Sequence, residues 1–548
     1  MGEAPNVYGE GILFAFSGLD GPTHWSVPLV ASTTGEGPGL RFHLDGEPVL
    51  RIGVAAPAAL EYRAATGDVM VAGAGERAGA LVVAFVSEHV IAGRAPAGAE
   101  VVLEGATGGL ALAREAGEGV VRFGVAYDAA DARAARASAA AALGVPLEAL
   151  VEERLGWFRG LPSAPEGTDP GLARTLAKAF SVMKVNVYAP EGRIRTRWTT
   201  PDRWPHRNMW LWDSAFHSLG LMHMDGSLAR EALEAVVGFQ RGDGFIPIQM
   251  CPERVWEITQ PPILGWAAWQ VCETGERRDG AFLSGMYEAV GRHVDWCMGN
   301  RRLAGEADLF RWQTGDESGA DNSPRFDGGP EFAAVDLSSF LASECRALGR
   351  MAGALGRADE AAAWAGRAER IGEAARRHLW DEARGFFFDR RGAEGEWVDV
   401  WSHSGFLPLW AGIATEAQAA RLVGHLGDAR KFAAPMSVPS VALDDPAYRP
   451  DMWRGPVWIN INYLIIRGLQ AAGHQAEAAA LREATLGTVA KWYGRTGVLH
   501  EFYDAEDATP PGQLDRKRRL ERGEGLPVIH DYHWTAALVA DLVLRPEA

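Results

Sequence analysis

Cysteine is scarce. The 548 residues include four, Cys251, Cys272, Cys297 and Cys345, all in the middle of the chain and without metal-ligand spacing. This excludes a disulfide scaffold and a thiolate metal site, and it reads as reduced thiols in a cytoplasmic protein. No apolar run approaches the roughly 20 residues that cross a bilayer. Met1 to Glu10 has neither a basic head nor an apolar signal core, so neither a membrane partner nor export is expected. Basic residues are outnumbered, 54 Lys and Arg against 71 Asp and Glu, for a formal net charge of -17. Polyanion binding needs clustered Lys and Arg, so the balance argues against nucleic acid and for a small neutral or weakly charged substrate. Tryptophan is almost missing from the first 150 residues, where only Trp25 occurs, while 18 of the 20 lie at or beyond Trp198.

A chain of this length exceeds one ordinary core, and tryptophan placement suggests where it divides. Residues 1–127 carry short apolar runs broken by Gly and Pro, such as Gly11-Ile12-Leu13-Phe14-Ala15-Phe16 and Gly119-Val120-Val121-Arg122-Phe123-Gly124-Val125. Repeated short strands with turn signals read as an antiparallel β-sandwich. The period then becomes Ala-rich and helical, so residues 128–168 are expected to form a linker helix leading away from the sandwich. Residues 169–548 read as about twelve helices, from 170–188 to 532–543, with long polar loops at 192–211, 300–334 and 492–531. Elaborate loops at alternate connections suggest helical hairpins in a ring, an (α/α)6 toroid whose loops converge on one mouth. The expected fold is mainly α, with the sandwich preceding the toroid.

Two loops concentrate carboxylates. Gly315-Asp316-Glu317-Ser318-Gly319-Ala320-Asp321-Asn322-Ser323-Pro324-Arg325-Phe326 is bounded by glycines and a proline. Its acids Asp316, Asp321 and Asp327 do not follow calcium-loop spacing. The second loop is Leu499-His500-Glu501-Phe502-Tyr503-Asp504. Trp210 and Trp212 flank Asp213, which can cap a helix or meet a sugar hydroxyl while the indoles stack on the ring. Gln260 precedes Pro261-Pro262 and Trp266 at another helix start, and Trp453-Arg454-Gly455-Pro456-Val457-Trp458-Ile459-Asn460 opens a third with Pro at its first turn. Two acids on separate loops of a tryptophan-rich chain suit glycosidic cleavage. One carboxyl must hold a proton for the leaving oxygen while the other stays ionised.

Together these segments resemble glycoside hydrolase family 63, the family of processing α-glucosidases and bacterial mannosylglycerate and glucosylglycerate hydrolases, which is related to the trehalases. The resemblance runs from Trp198 to Leu538. It rests on Trp-Leu-Trp-Asp-Ser at 210–214, Gln-Pro-Pro at 260–262, Asp-Asn-Ser-Pro-Arg at 321–325, Trp-Arg-Gly-Pro-Val-Trp-Ile-Asn at 453–460 and His-Glu-Phe-Tyr at 500–503. It implies Asp321 as general acid and Glu501 as general base on an (α/α)6 barrel preceded by a sandwich. The expected substrate contacts are Trp210, Trp212, Asp213, Gln260, Trp266, Glu317, Arg325, Trp453, Arg454, Trp458, Asn460 and Tyr503. Relatives often carry Trp before the acid, where this chain has Ala320, and an Asn-Pro turn after the base, where it has Asp504-Ala505-Glu506-Asp507. Both departures bear on the aglycone.

The activity implied is that of an inverting exo-acting α-glycosidase without metal or organic cofactor, removing a terminal α-glucosyl or α-mannosyl residue, with an α-glucosidase as the first choice. Its rival on the same scaffold is a trehalase or a glucosyl- or mannosylglycerate hydrolase. A terpene cyclase would need Asp-x-Asp-Asp or Asp-Asp-x-x-Asp, and the sequence has neither. A carbohydrate-binding protein that had lost catalysis would lack one of the two carboxylates, and both are present.

Overall fold

The apolar runs of the first 127 residues become strands. In the computed structural model, which describes residues 6–547 apart from 36–38, 54–60, 63–66, 74–79, 105–107, 275–278, 304–307, 520–521 and 524–527, two antiparallel sheets form. One contains β1 (Leu13–Phe14), β2 (Leu29–Thr33), β3 (Gly39–Leu44), β4 (Glu47–Gly53) and β9 (Glu100–Leu103), in that order. The other runs β10 (Leu110–Gly117), β11 (Val120–Tyr127), β8 (Val90–Pro96), β7 (Leu81–Ser87), β6 (Val69–Gly73) and β5 (Glu61–Tyr62). Phe14, Phe42 and Leu50 from the first sheet and Phe85 and Phe123 from the second share one buried core. The unbroken apolar stretch of β7 has a physical reason. Leu81, Val83 and Phe85 face that core, while Val82 and Ala84 on the opposite face pack against Val151 of a covering helix.

The expectation of a single linker helix leading away from the sandwich is corrected. Two helices occupy the segment, α1 (Ala132–Ala142) and α2 (Leu147–Arg159), and both lie on the six-stranded sheet. Asp131 caps α1 by accepting from the Arg133 and Ala134 amides, and Pro146 bars a continuous helix. The small residues of α1 are its docking face. Ala135 and Ala139 pack on Ala111 and Ala126, and a Cβ on Gly124 would lie 2.1 Å from the Ala139 carbonyl oxygen.

The chain forms two compact units, Met1–Asn208 with Val489–Leu499 and His530–Val543, and Met209–Thr488 with His500–Ile529 and Leu544–Ala548. In the first, α3 (Pro170–Val185) starts at Asp169, whose side chain accepts from the Leu172 amide, with Pro170 in the first turn. The later helices are α4 (Leu211–Leu221), α5 (Gly226–Val237), α6 (Leu264–Thr274), α7 (Gly280–Asn300), α8 (Val335–Ala354), α9 (Ala358–His378), α10 (Leu407–Trp410), α11 (Glu416–Leu426), α12 (Ile459–Ala471), α13 (Gln475–Thr496) and α14 (His533–Leu544). Within the second unit α4 packs on α5 and α6, α6 on α7 and α8, α8 on α9 and α10, and α10 on α12. The fold is mainly α, with hairpins of the (α/α)6 kind preceded in sequence by an antiparallel sandwich. No single helix among the described residues is long and apolar enough to cross a membrane. Within the helical reading of 169–548, the segment 402–413 forms only a 3-10 turn at His403–Phe406 plus α10, where Pro408 and the left-handed Gly412 (φ 64°) leave room for one turn.

A buried charge network ties α2 and α3 to the sandwich. Lys184 Nζ lies 2.9 Å from Asp20 and 3.0 Å from Asp68, and Arg154 pairs with both carboxylates. Burial, and then the Asp68 charge, push the Asp20 carboxyl up to about 6. Its stabilising proton is fully held below its ordinary pKa of 3.8 and is lost as pH rises through about 6. Lys184→Met removes one of the two cations and leaves both buried carboxylates to Arg154 alone. Urea unfolding at pH 8 should show a loss of about 3–5 kcal/mol, and the loss should shrink below pH 6 as Asp20 takes a proton. An unchanged midpoint at pH 8 would count against this network as an anchor.

Candidate active site

The acid loop is held from below by one buried arginine. Gly319, in the left-handed region at φ 72°, ends the short turn Asp316–Ser318, and Pro324 opens another at Pro324–Phe326. Arg325 donates from Nε to Asp389 at 2.5 Å and from Nη1 to Asp336 at 2.6 Å, while Nη2 reaches both carboxylates at 3.0 and 3.1 Å. Asp389 also accepts from the Val335 amide, and Asp336 from Trp312 Nε1, so the loop is fixed to the start of α8. Arg325, expected to grip substrate, is instead a fully committed structural group.

Glu317 is corrected for the same reason. Arg301 grips it from Nε at 2.9 Å and Nη2 at 2.6 Å, and the Gln313 and Thr259 amides donate to its oxygens. Its lone pairs are used in shaping the loop.

The loop carrying Glu501 is fixed by backbone. Val457 and Tyr503 exchange hydrogen bonds of 2.7 and 3.0 Å, and the Glu501 amide donates to Ile529 O at 3.0 Å. Tyr503, also expected at the substrate, is buried, and its hydroxyl accepts from the His500 amide. An aromatic brace joins the two loops. The Trp453 amide donates to Asn322 Oδ1 beside the acid, and Trp453 stacks on Trp458 at 3.8 Å and 3°. Trp458 meets Phe502 beside the base at 4.8 Å. Trp453 and Trp458 are each only 1% exposed, so they form a strut rather than a sugar platform. Arg454 belongs to the same strut. Its guanidinium pairs with both Asp327 oxygens and the Asn322 carbonyl.

Three more of the expected contacts lie elsewhere. Trp212 lies over Gly319, where an added Cβ would meet the indole at 2.4 Å, so it shapes the acid loop from inside. Gln260 Oε1 accepts from the Trp212 amide, tying the segment before α6 to α4. Trp266 joins Trp410 and Tyr463 in edge contacts and lines a separate cavity. Trp210, not Asp213, is the N-cap of α4, and Asp213 sits in its first turn, buried. Asn460 is buried in the first turn of α12, and neither amide atom has a partner among the described residues. Buried amides of this kind are normally satisfied by ligand or water.

What sequence reasoning missed is the pair of cations that faces the two acids. Arg516 donates to Glu501 Oε2 from Nε and to Oε1 from Nη2, both at 3.2 Å. The next residue, Lys517, lies 2.7 Å from Asp321 and 3.8 Å from Asp316. Adjacent residues thus place one cation on each carboxylate. Lys517 and Arg518 take φ of 58° and 55°, a costly conformation for side-chain-bearing residues. Asp451 holds the turn by accepting from the Lys517 amide at 2.7 Å. The available signal is Asp515-Arg516-Lys517-Arg518-Arg519, a dense basic run in an acidic chain.

The acids differ in setting. Glu501 is 2% exposed, whereas the side chain of Asp321 is 25% exposed and that of Lys517 36%. Burial raises the Asp321 pKa above the usual carboxylate value, and the Lys517 charge opposes the rise. One residue group elsewhere, His24, Glu88 and His89, brings ligand-type atoms within 4.8 Å of one another, and its internal hydrogen bonds account for that closeness.

The sequence profile of the mannosylglycerate hydrolase MGH1-like glycoside hydrolase domain matches residues 206–535. The mannosylglycerate hydrolase of Thermus thermophilus is 26% identical over 431 residues, spanning 63% of this chain and 96% of its own length. That of Rubrobacter radiotolerans is 24% identical over 433 residues, spanning 63% and 92%. A crystal structure of the GH63 mannosylglycerate hydrolase from Thermus thermophilus in complex with glucose superposes with a TM-score of 0.55 at 25% identity, covering 67% of this chain and 99% of that one.

Lys517→Met removes the charge that holds the Asp321 pKa down. With Asp321 in the general-acid role that the sequence leads one to expect, activity falls as pH rises through its pKa, so the alkaline limb of kcat/KM should move to higher pH in the variant. A limb that stays put, or moves down, would separate Lys517 from the titration of Asp321.

Proposed function

The chain belongs to the mannosylglycerate hydrolase MGH1-like glycoside hydrolases, and on that premise we propose that it is an inverting α-glycosidase acting on a small α-glucoside or α-mannoside with an acidic, glycerate-type aglycone. Asp321 is the general acid and Glu501 the general base. The carrying observation is Lys517, an accessible cation 2.7 Å from the acid and so beside the departing group. A carboxylate on the aglycone would draw Lys517 away from Asp321, leaving the acid its burial-raised proton affinity at the moment the leaving oxygen needs a proton. A neutral disaccharide offers Lys517 no such partner. This favours the acidic glycoside over an ordinary α-glucosidase or trehalase substrate.

Glu501 keeps capacity for water. Each of its oxygens takes one N–H from Arg516 and retains a lone pair, which suits a base that orients and deprotonates water. Attack by water from the face opposite the acid inverts configuration and forms no glycosyl-enzyme. Trp210, Asp213 and Asn460 remain the proposed contacts to the sugar. The four cysteines are buried and joined by no disulfide, which supports the cytoplasmic placement.

Proton NMR of early product from an α-glycosyl glycerate should show the β-anomer first, and early α-anomer would overturn inversion together with the base role of Glu501. Asp321→Asn should lower kcat by about 10²–10⁴-fold with little change in binding. In a substrate panel, glycerate glycosides should exceed neutral α-disaccharides in kcat/KM, and the advantage should collapse in Lys517→Met. Equal rates on both classes would return the choice to a neutral α-glucoside.

A further inference from the structure

We propose a second ligand site at the end of the helical unit remote from Asp321 and Glu501, one that takes a small acidic sugar such as a sugar phosphate or a uronate. A cavity of about 560 Å³ lies among α6, α8, α10, α12 and the chain end, and none of Asp321, Glu501, Arg516 or Lys517 lines it. The candidate catalytic groups cluster where α4, α6, α8 and α12 begin. The cavity draws on the later turns of α8 and α12 and on one face of α6 from Trp266 to Thr274, and on no residue of α4. Arg350 lies about 22 Å along α8 from Val335 at 1.5 Å per residue, and Arg467 sits in the penultimate turn of α12.

The lining is chemically distinctive for a chain of net charge -17. Among the described residues, Arg346, Arg350, Arg467 and Arg545 line it with two acids, Glu273 and Glu547. Arg346 uses Nε and Nη2 on the carbonyls of Ala411 and Gly412, and no carboxylate among the described residues pairs with it. Arg350 is exposed and makes no hydrogen bond or ion pair among the described residues. These two guanidinium groups, uncompensated and on one wall of a concave site, form a receptor for a carboxylate or phosphate.

The remaining wall selects a sugar. Trp266 and Trp410 meet edge to face at 5.4 Å, presenting apolar ring surface. Trp410 is 8% exposed, and its indole N–H has no acceptor among the described residues. Gln270 and Ser343 add donors and acceptors for hydroxyl groups. Indole faces, amides and arginines together match a pyranose bearing an acidic group.

The test is calorimetric titration of the full-length protein with glucose 6-phosphate and with glucuronate, beside glucose and inorganic phosphate. At least one acidic sugar should bind, more tightly than glucose or phosphate alone. Arg350→Glu breaks no existing contact and lies outside the proposed catalytic machinery. It should weaken that binding about tenfold or more while kcat and KM for the glycoside stay unchanged. Binding should also persist in Asp321→Asn with the glycoside substrate present. Failure of both acidic sugars to bind, equal binding in Arg350→Glu, or competition with the glycoside would each overturn the second site without touching the catalytic assignment.

Discussion

The guanidinium of Arg325 lies buried between Asp336 and Asp389, and the position of the acid loop follows from that pairing. An ion so placed has lost its hydration and is stabilised by the carboxylates that surround it and by the Phe326 and Phe332 rings. Asp336 and Asp389 are in turn committed to Trp312 and to the amide that opens α8. A loop rich in glycine and polar residues would otherwise sample many conformations at little cost. Four residues upstream, Asp321 inherits a fixed anchor from which to project.

The second constraint is the link between the two acids. They are far apart in sequence, and three different interactions bring their loops into register. Backbone pairing of Val457 with Tyr503 sets the Glu501 loop, the Trp453–Trp458 stack bridges from Asn322 to Phe502, and the turn at 515–518 sets a cation on each carboxylate. Stacked indoles serve well as the strut because they are stiff and lose few rotamers on burial. The cations serve a different end. They make two acids tolerable in one polar site while leaving Asp321 partly open to what enters.

Charge is distributed by the same logic. The chain is strongly acidic overall, yet positive groups gather at the turn 515–518 and in the remote cavity. A large net charge of one sign disfavours self-association, whereas concentrated arginine and lysine create local sites for anions. The cations at 516–518 lie in a turn, and the cavity takes Arg346 and Arg350 from α8 but Arg467 and Arg545 from elsewhere, so neither concentration stands out as one basic helical face.

Much of the molecule is legible in the sequence. Helices from α3 onward follow from period, caps and breakers, because helical hydrogen bonds are local and apolar faces recur at a fixed spacing. The two carboxylate loops are legible because glycine, proline and acidic residues mark them within a dozen positions. Which side chains face a substrate is not. Arg325, Glu317, Trp453 and Trp458 carry the residue types of a sugar site, yet each is engaged by a neighbour distant in sequence. Trp266, close in sequence to the Gln-Pro-Pro motif, lines the other cavity. The Ala-rich segment after the sandwich reads as helical, but only the glycine on β11 that lets Ala139 approach decides that it lies down on the sheet. The pairing of Arg516 with Glu501 and Lys517 with Asp321 belongs to the same category. Composition and local order determined the elements, the breakers and the two candidate acids. Tertiary structure alone decided which polar groups hold loops and which stay open, because a hydrogen bond or ion pair depends on where chain segments meet in space.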